Sequence, residues 1–119
     1  MAIKGTVCSG FGRGKEFIQN EYYNKMLKEL LSFIPYHGTL NIKVSSNSMK
    51  RLRKPIKIEG KGKFGGVDVY KAKIGKIDVA VLVPEKTSHD DTLEIIAPMN
   101  LREKFKLKDG DSLEIDIKE

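Results

Sequence analysis

Apolar and polar positions alternate with a period of two along much of this chain, and that period predicts strands. Ile3 to Ser9 reads as a strand running into a cluster of glycines. Leu40, Ile42 and Val44 alternate with Asn41 and Lys43, the pattern of a half-buried strand. Ile56-Lys57-Ile58 is a short strand, and Val67–Ile74 with Ile77–Val83 reads as a hairpin through Gly75-Lys76. Thr92–Ala97 and Ser112–Ile117 are two more strands, the last following the turn Lys108-Asp109-Gly110-Asp111. Only one long segment has a helical period. From about Asn20 to Phe33, the pairs Tyr22/Tyr23, Met26/Leu27 and Leu30/Leu31 recur on one face, and Pro35 ends the run. A short helix follows Pro98, with Leu101 and Phe105 on one side. Ser45–Arg53 and Pro84–Asp91 are polar, without a period, and read as loops. The pattern is mainly β (α+β). Many short strands and two helices predict a small closed or partly closed barrel, not a doubly wound parallel sheet.

A length of 119 residues fits a single domain over 1–119, and 39% apolar with 32% charged residues fits a soluble globule. No apolar run reaches membrane-spanning length, and Met1-Ala2-Ile3-Lys4-Gly5 lacks the apolar stretch of a signal peptide. Cys8 is the only cysteine, which excludes an intrachain disulfide and makes the cytoplasm the expected compartment. One cysteine and two histidines argue against structural zinc. A net charge of +6 favours anionic partners without choosing among them. The basic stretch Lys50, Arg51, Arg53, Lys54, Lys57, Lys61 and Lys63 reads first as a solvated loop and edge strand.

Two phrases carry candidate chemistry. Gly10-Phe11-Gly12-Arg13-Gly14-Lys15 is a glycine turn with two cations. It is not a Walker loop, because Ser9 stands where the first glycine belongs and Glu16 where Ser or Thr belongs. It is not a dinucleotide fingerprint either, because Lys15 replaces the last glycine. What remains is bare backbone that can approach an anion, or a plain connector. Thr39 and Asn41 are two apart on a strand and share the face opposite Leu40, Ile42 and Val44. A hydroxyl and an amide oxygen suit magnesium, which usually also binds substrate phosphates; a strand-edge hydrogen-bond pair is the alternative. Met99-Asn100-Leu101-Arg102 forms the first turn after Pro98, where unpaired N–H groups and Arg102 can receive an anion or a base edge. Glu94 is a carboxylate in the apolar strand Thr92–Ala97, on the face opposite Leu93, Ile95 and Ala97. Ser88, His89 and nearby acids form no recognisable triad.

With these residues in place, the chain resembles the archaeal CTP-dependent riboflavin kinases. The resemblance spans nearly the whole length and rests on Ser9–Lys15, Pro35-Tyr36-His37-Gly38-Thr39-Leu40-Asn41, Val83–His89, Glu94–Glu103 and Leu107–Asp111. It implies a small closed six-stranded cradle-loop barrel with one longer and one short helix. It also implies magnesium-assisted transfer of the γ-phosphoryl group of CTP to the terminal ribityl hydroxyl of riboflavin, giving FMN and CDP. By the resemblance, Gly10, Phe11, Gly12, Arg13, Gly14 and Lys15, with Met99, Asn100, Leu101 and Arg102, hold the nucleotide. Thr39 and Asn41 hold Mg2+, and Thr87 and Glu94 contact the flavin, Glu94 being also the candidate base. Relatives often carry an acid where Arg13 stands. Some have an N-terminal DNA-binding domain, which is not expected here. No nucleic acid, membrane or obligate protein partner is expected. A DNA-binding swapped-hairpin barrel without enzymatic activity is the alternative, because Leu107-Lys108-Asp109-Gly110-Asp111 and the following strand also resemble that class.

Overall fold

The computed structural model describes residues 1–10, 13–61, 65–84 and 91–118. Its elements are β1 (Ala2–Cys8), α1 (Arg13–Gln19), α2 (Glu21–Leu31), β2 (Leu40–Lys43), α3 (Ser46–Arg51), β3 (Ile56–Ile58), β4 (Val67–Ile74), β5 (Ile77–Pro84), β6 (Thr92–Ile96), α4 (Leu101–Phe105) and β7 (Ser112–Ile117).

Six strands form a closed antiparallel ring in the order β4-β5-β6-β2-β1-β7, and β7 returns to β4 through Ala72↔Ile117 and Lys73↔Asp116. β3 adds to the same edge of β4 farther along, at Ile56↔Val69 and Ile58↔Val67. One edge of β4 is therefore divided between β3 and β7. The β4–β5 hairpin turns at Gly75, whose φ of +59° suits a tight two-residue connection and is unfavourable for a side chain.

The alternation read from the sequence sorts side chains into two cores. Ile3, Val7, Leu40, Ile42, Val44, Val79, Val81, Leu93, Ile95 and Ile115 fill the barrel interior. A barrel of this size is a packed core, not a channel, so any ligand must sit at an end or outside. The second core lies on the outer wall, where Val67, Val69, Ala80, Leu82 and Ile96 pack under Phe17, Ile18, Tyr23 and Leu27. Asn20 caps α2, its side chain accepting from the N–H groups of Tyr22 and Tyr23. The Tyr23 hydroxyl donates to the Gly65 carbonyl at 3.1 Å and accepts from the Lys61 N–H at 2.9 Å, pinning the chain after β3.

Two helices depart from the sequence reading. α1 starts at Arg13, inside what reads as a glycine turn. It is too short to display a period, and its apolar pair Phe17-Ile18 is buried against the barrel wall by tertiary packing. α3 forms within the polar stretch, capped by Ser45, whose Oγ accepts from the Ser48 N–H at 3.1 Å. Met49 and Leu52 anchor it to the barrel core. The helix after Pro98 begins at Leu101, with Asn100 as its cap. Met26 is off the buried stripe of α2 and exposed. No helix among the described residues is long and apolar enough to cross a membrane.

Candidate active site

Antiparallel pairing gathers the end of β1, the start of β2, the end of β6 and the start of β7 at one mouth of the barrel. A cavity of about 360 Å³ opens there. Gly10 and Lys15 line it from the segment after β1, Tyr36 to Asn41 from the segment entering β2, and Met99 to Arg102 from the segment joining β6 to α4. Lys15 and Arg102 bring two basic side chains, and no carboxylate lines the cavity among the described residues. Such a wall suits a polyanion.

Asn41 is the unusual residue of this wall. It is an amide inside a strand, only 6% exposed, and its Oδ1 has no hydrogen-bond partner among the described residues. A buried polar atom left so is costly, on the order of 1–3 kcal/mol, and calls for an explanation. Gly10 lies against the Asn41 carboxamide, and any β-carbon at position 10 would overlap it. Thr39 is half-buried just before β2 and lines the same cavity. Across the β2–β6 ladder Asn41 pairs in register with Glu94, so their side chains share the outer face. Glu94 is 7% exposed, two residues before Ile96 of the outer core. The alternation explains how a carboxylate is buried here. The inner face of β6 packs on the barrel core, and α1 packs on its outer side.

Arg102 is held in place from two directions. Its guanidinium donates to the Cys8 carbonyl at 3.2 Å and to Asp109 Oδ1 at 2.6 Å. The other Asp109 oxygen accepts from Ser9 Oγ at 2.7 Å. These hydrogen bonds, Arg102 first, hold the Asp109 carboxyl below its ordinary value. The Cys8 thiol is pushed up, first by burial and then by the Asp109 charge. Asn100 Oδ1 accepts from the Glu103 N–H at 3.2 Å, so one N–H of the first helical turn is already used. The Asn100 amide donates towards the Tyr36 hydroxyl at 3.4 Å.

A family model named CTP-dep_RFKase, described as a domain of unknown function, DUF120, matches residues 7–117. Among curated proteins, the riboflavin kinase of Methanosphaera stadtmanae is 41% identical, with 98% of both chains covered. The chain belongs to the archaeal CTP-dependent riboflavin kinase family. The riboflavin kinases of Thermoplasma acidophilum and Methanosarcina barkeri are 40% and 38% identical over 98% and 99% of this chain. The chain spans 57% of the length of each of those two relatives.

In this family member, the structure brings Gly10, Lys15, Thr39, Asn41, Met99, Asn100, Leu101 and Arg102 to one cavity. Arg13 and Gly14 open α1 beside it. Glu94 adjoins the cavity through its register with Asn41 but does not line it. Phe11, Gly12 and Thr87 lie outside the described residues. The sequence reading gave no role to Tyr36, His37, Ser9 or Asp109. Tyr36 and His37 sit immediately before Gly38-Thr39, and that adjacency was the available signal. Ser9 and Asp109 are 100 residues apart, and nothing in the sequence joins them.

Proposed function

We propose that residues 1–119 form one riboflavin kinase domain that transfers the γ-phosphoryl group of CTP to the terminal ribityl hydroxyl of riboflavin, releasing CDP and FMN. The observation that carries this reading is the cationic cavity, which no carboxylate lines among the described residues and whose wall holds an Asn41 oxygen without a partner among them.

The residues present fit a magnesium ion. Asn41 offers a buried Oδ1 with no hydrogen-bond partner among the described residues, and Thr39 offers a hydroxyl on the same cavity wall. No group of three His, Cys, Asp or Glu residues suited to a metal occurs among the described residues. Two neutral ligands leave the remaining positions to water and substrate phosphates, which is how magnesium is commonly held at phosphoryl-transfer sites. Thr39 and Asn41 would hold the ion, which would supply positive charge against that of the transferred phosphoryl group.

The chain's own residues position and neutralise. Lys15 and Arg102 face the nucleotide phosphates, and the backbone at Gly10 allows close approach. Backbone groups around Met99–Arg102 read the base edge; pairing them with the wrong base leaves buried groups unsatisfied, at about 1–3 kcal/mol each. Glu94 is the flavin contact in this reading, with Thr87, which lies outside the described residues, assigned to the flavin by the family resemblance alone. Transfer forms a bond from the ribityl oxygen to the γ-phosphorus and breaks the bond to the bridging oxygen of CDP. The hydroxyl proton leaves to a nearby base, with Glu94 the candidate. Positioning carries most of the rate, since phosphoryl transfer asks for little covalent chemistry from the protein. The reaction takes place in the cytoplasm and needs no obligate protein partner.

Incubation with riboflavin, magnesium and each nucleoside triphosphate, with FMN read by chromatography, tests the reading. FMN forms fastest with CTP. Equal or faster formation with ATP overturns the nucleotide assignment, and no FMN with any donor overturns the kinase assignment.

A further inference from the structure

The Arg102 side chain is the cation on the α4 side of the cavity, and the structure shows what aims it. A free arginine at a cavity rim samples many rotamers, and ordering it on ligand binding weakens affinity. Here the ordering is done in advance. The guanidinium spans the Cys8 carbonyl and Asp109, while Asp109 also receives the Ser9 hydroxyl. Three segments thereby meet at one carboxylate: the end of β1, α4, and the turn before β7. Two of them line the cavity, through Gly10 and Arg102.

The turn that carries Asp109 is itself fixed. The Gly110 N–H donates to the Val7 carbonyl at 2.8 Å, and the Val7 N–H donates to the Asp111 carbonyl at 2.8 Å. The Lys108 N–H donates to Asp111 Oδ2 at 2.8 Å. Asp109 is thus a carboxylate on a rigid support, bonded to one cavity residue and to the immediate neighbour of another. It does not line the cavity itself.

We infer that Asp109, with Ser9, is a positioning residue for nucleotide binding: it presets the Arg102 guanidinium and the Ser9–Gly10 backbone against the phosphates. The inference rests on the cavity being the nucleotide site. Asp109 is well exposed, and exposed ion pairs add little to folding stability. The role therefore shows chiefly in affinity, and the melting temperature moves only slightly.

Calorimetric titration with CDP, on the wild type and on Asp109→Asn, Asp109→Glu and Ser9→Ala, tests it. Asp109→Asn weakens CDP about tenfold, Ser9→Ala about threefold, and Asp109→Glu recovers most of the loss. In steady state the change falls on the CTP KM and leaves the riboflavin KM in place. Asp109→Asn binding CDP within twofold of wild type, or more tightly because a negative charge is gone, overturns the inference and leaves the site assignment standing. Should Asp109→Asn fail to fold, Ser9→Ala decides alone, and wild-type affinity in that variant overturns the inference. Wild-type protein that does not bind CDP overturns the site assignment and the inference with it.

Discussion

Gly10 lies against the carboxamide of Asn41 so closely that a single added methyl group at position 10 would occupy the same space. The contact couples the backbone after β1 to the one buried amide of β2. It gives the glycine of the first sequence phrase a reason independent of any positive φ.

Gly10→Ala therefore displaces either the Asn41 side chain or the backbone after β1. Overpacking of this kind costs about 1–3 kcal/mol. FMN formation falls at least tenfold, and the melting temperature drops by several degrees. Adding Asn41→Ala to Gly10→Ala restores the melting temperature but not the activity. Additive losses of stability in the double variant would show that the two residues do not compete for space.

Asn41→Leu and Thr39→Val separate function from fold. Replacing an amide whose buried oxygen has no partner among the described residues by an apolar group of similar size costs little stability. Both variants keep the barrel, measured by circular dichroism, while Asn41→Leu loses nearly all transfer. Thr39→Val loses less and is partly rescued by raised magnesium. Normal rates with unchanged magnesium dependence in both would remove these residues from the site.

Glu94→Gln distinguishes contact from proton transfer. If the carboxylate is the base, the maximal rate falls by about 10²–10⁴-fold and the acidic limb of the pH profile disappears. If it only holds the flavin, riboflavin binding weakens and the maximal rate stays. Wild-type affinity, rate and pH profile together would make Glu94 an ordinary strand residue.

The Arg102–Asp109 pair also sets a pH dependence of stability. Its hydrogen bonds from Arg102 and Ser9 lower the folded-state pKa of Asp109 below the ordinary 3.8. The contribution is present above 3.8 and is lost as pH falls through the folded value, because the unfolded chain then binds the proton more readily. Asp109→Asn therefore matches wild type less well above pH 3.8 than at pH values well below it, where the small difference in melting temperature closes. A constant difference across that range would show that the charge of Asp109 is not what stabilises.

The local pattern determined the strands of this protein. Alternation at Leu40, Ile42 and Val44, and at Leu93, Ile95 and Ala97, records which side of a sheet meets the core, and that side is set by backbone geometry alone. The same alternation exposed Asn41 and Glu94 as misfits on their outer faces. What the sequence could not determine was why those positions are buried. For Glu94 that depends on α1 packing over β6, and for Asn41 on Gly10 lying against its carboxamide; α1 is too short to announce itself. Only the register of β2 on β6 sets Asn41 opposite Glu94, and only closure of the ring brings Asp109 to Arg102 and Ser9. Contacts between residues up to 100 positions apart leave no periodic trace, because they arise when strands pair and not when a segment chooses its conformation.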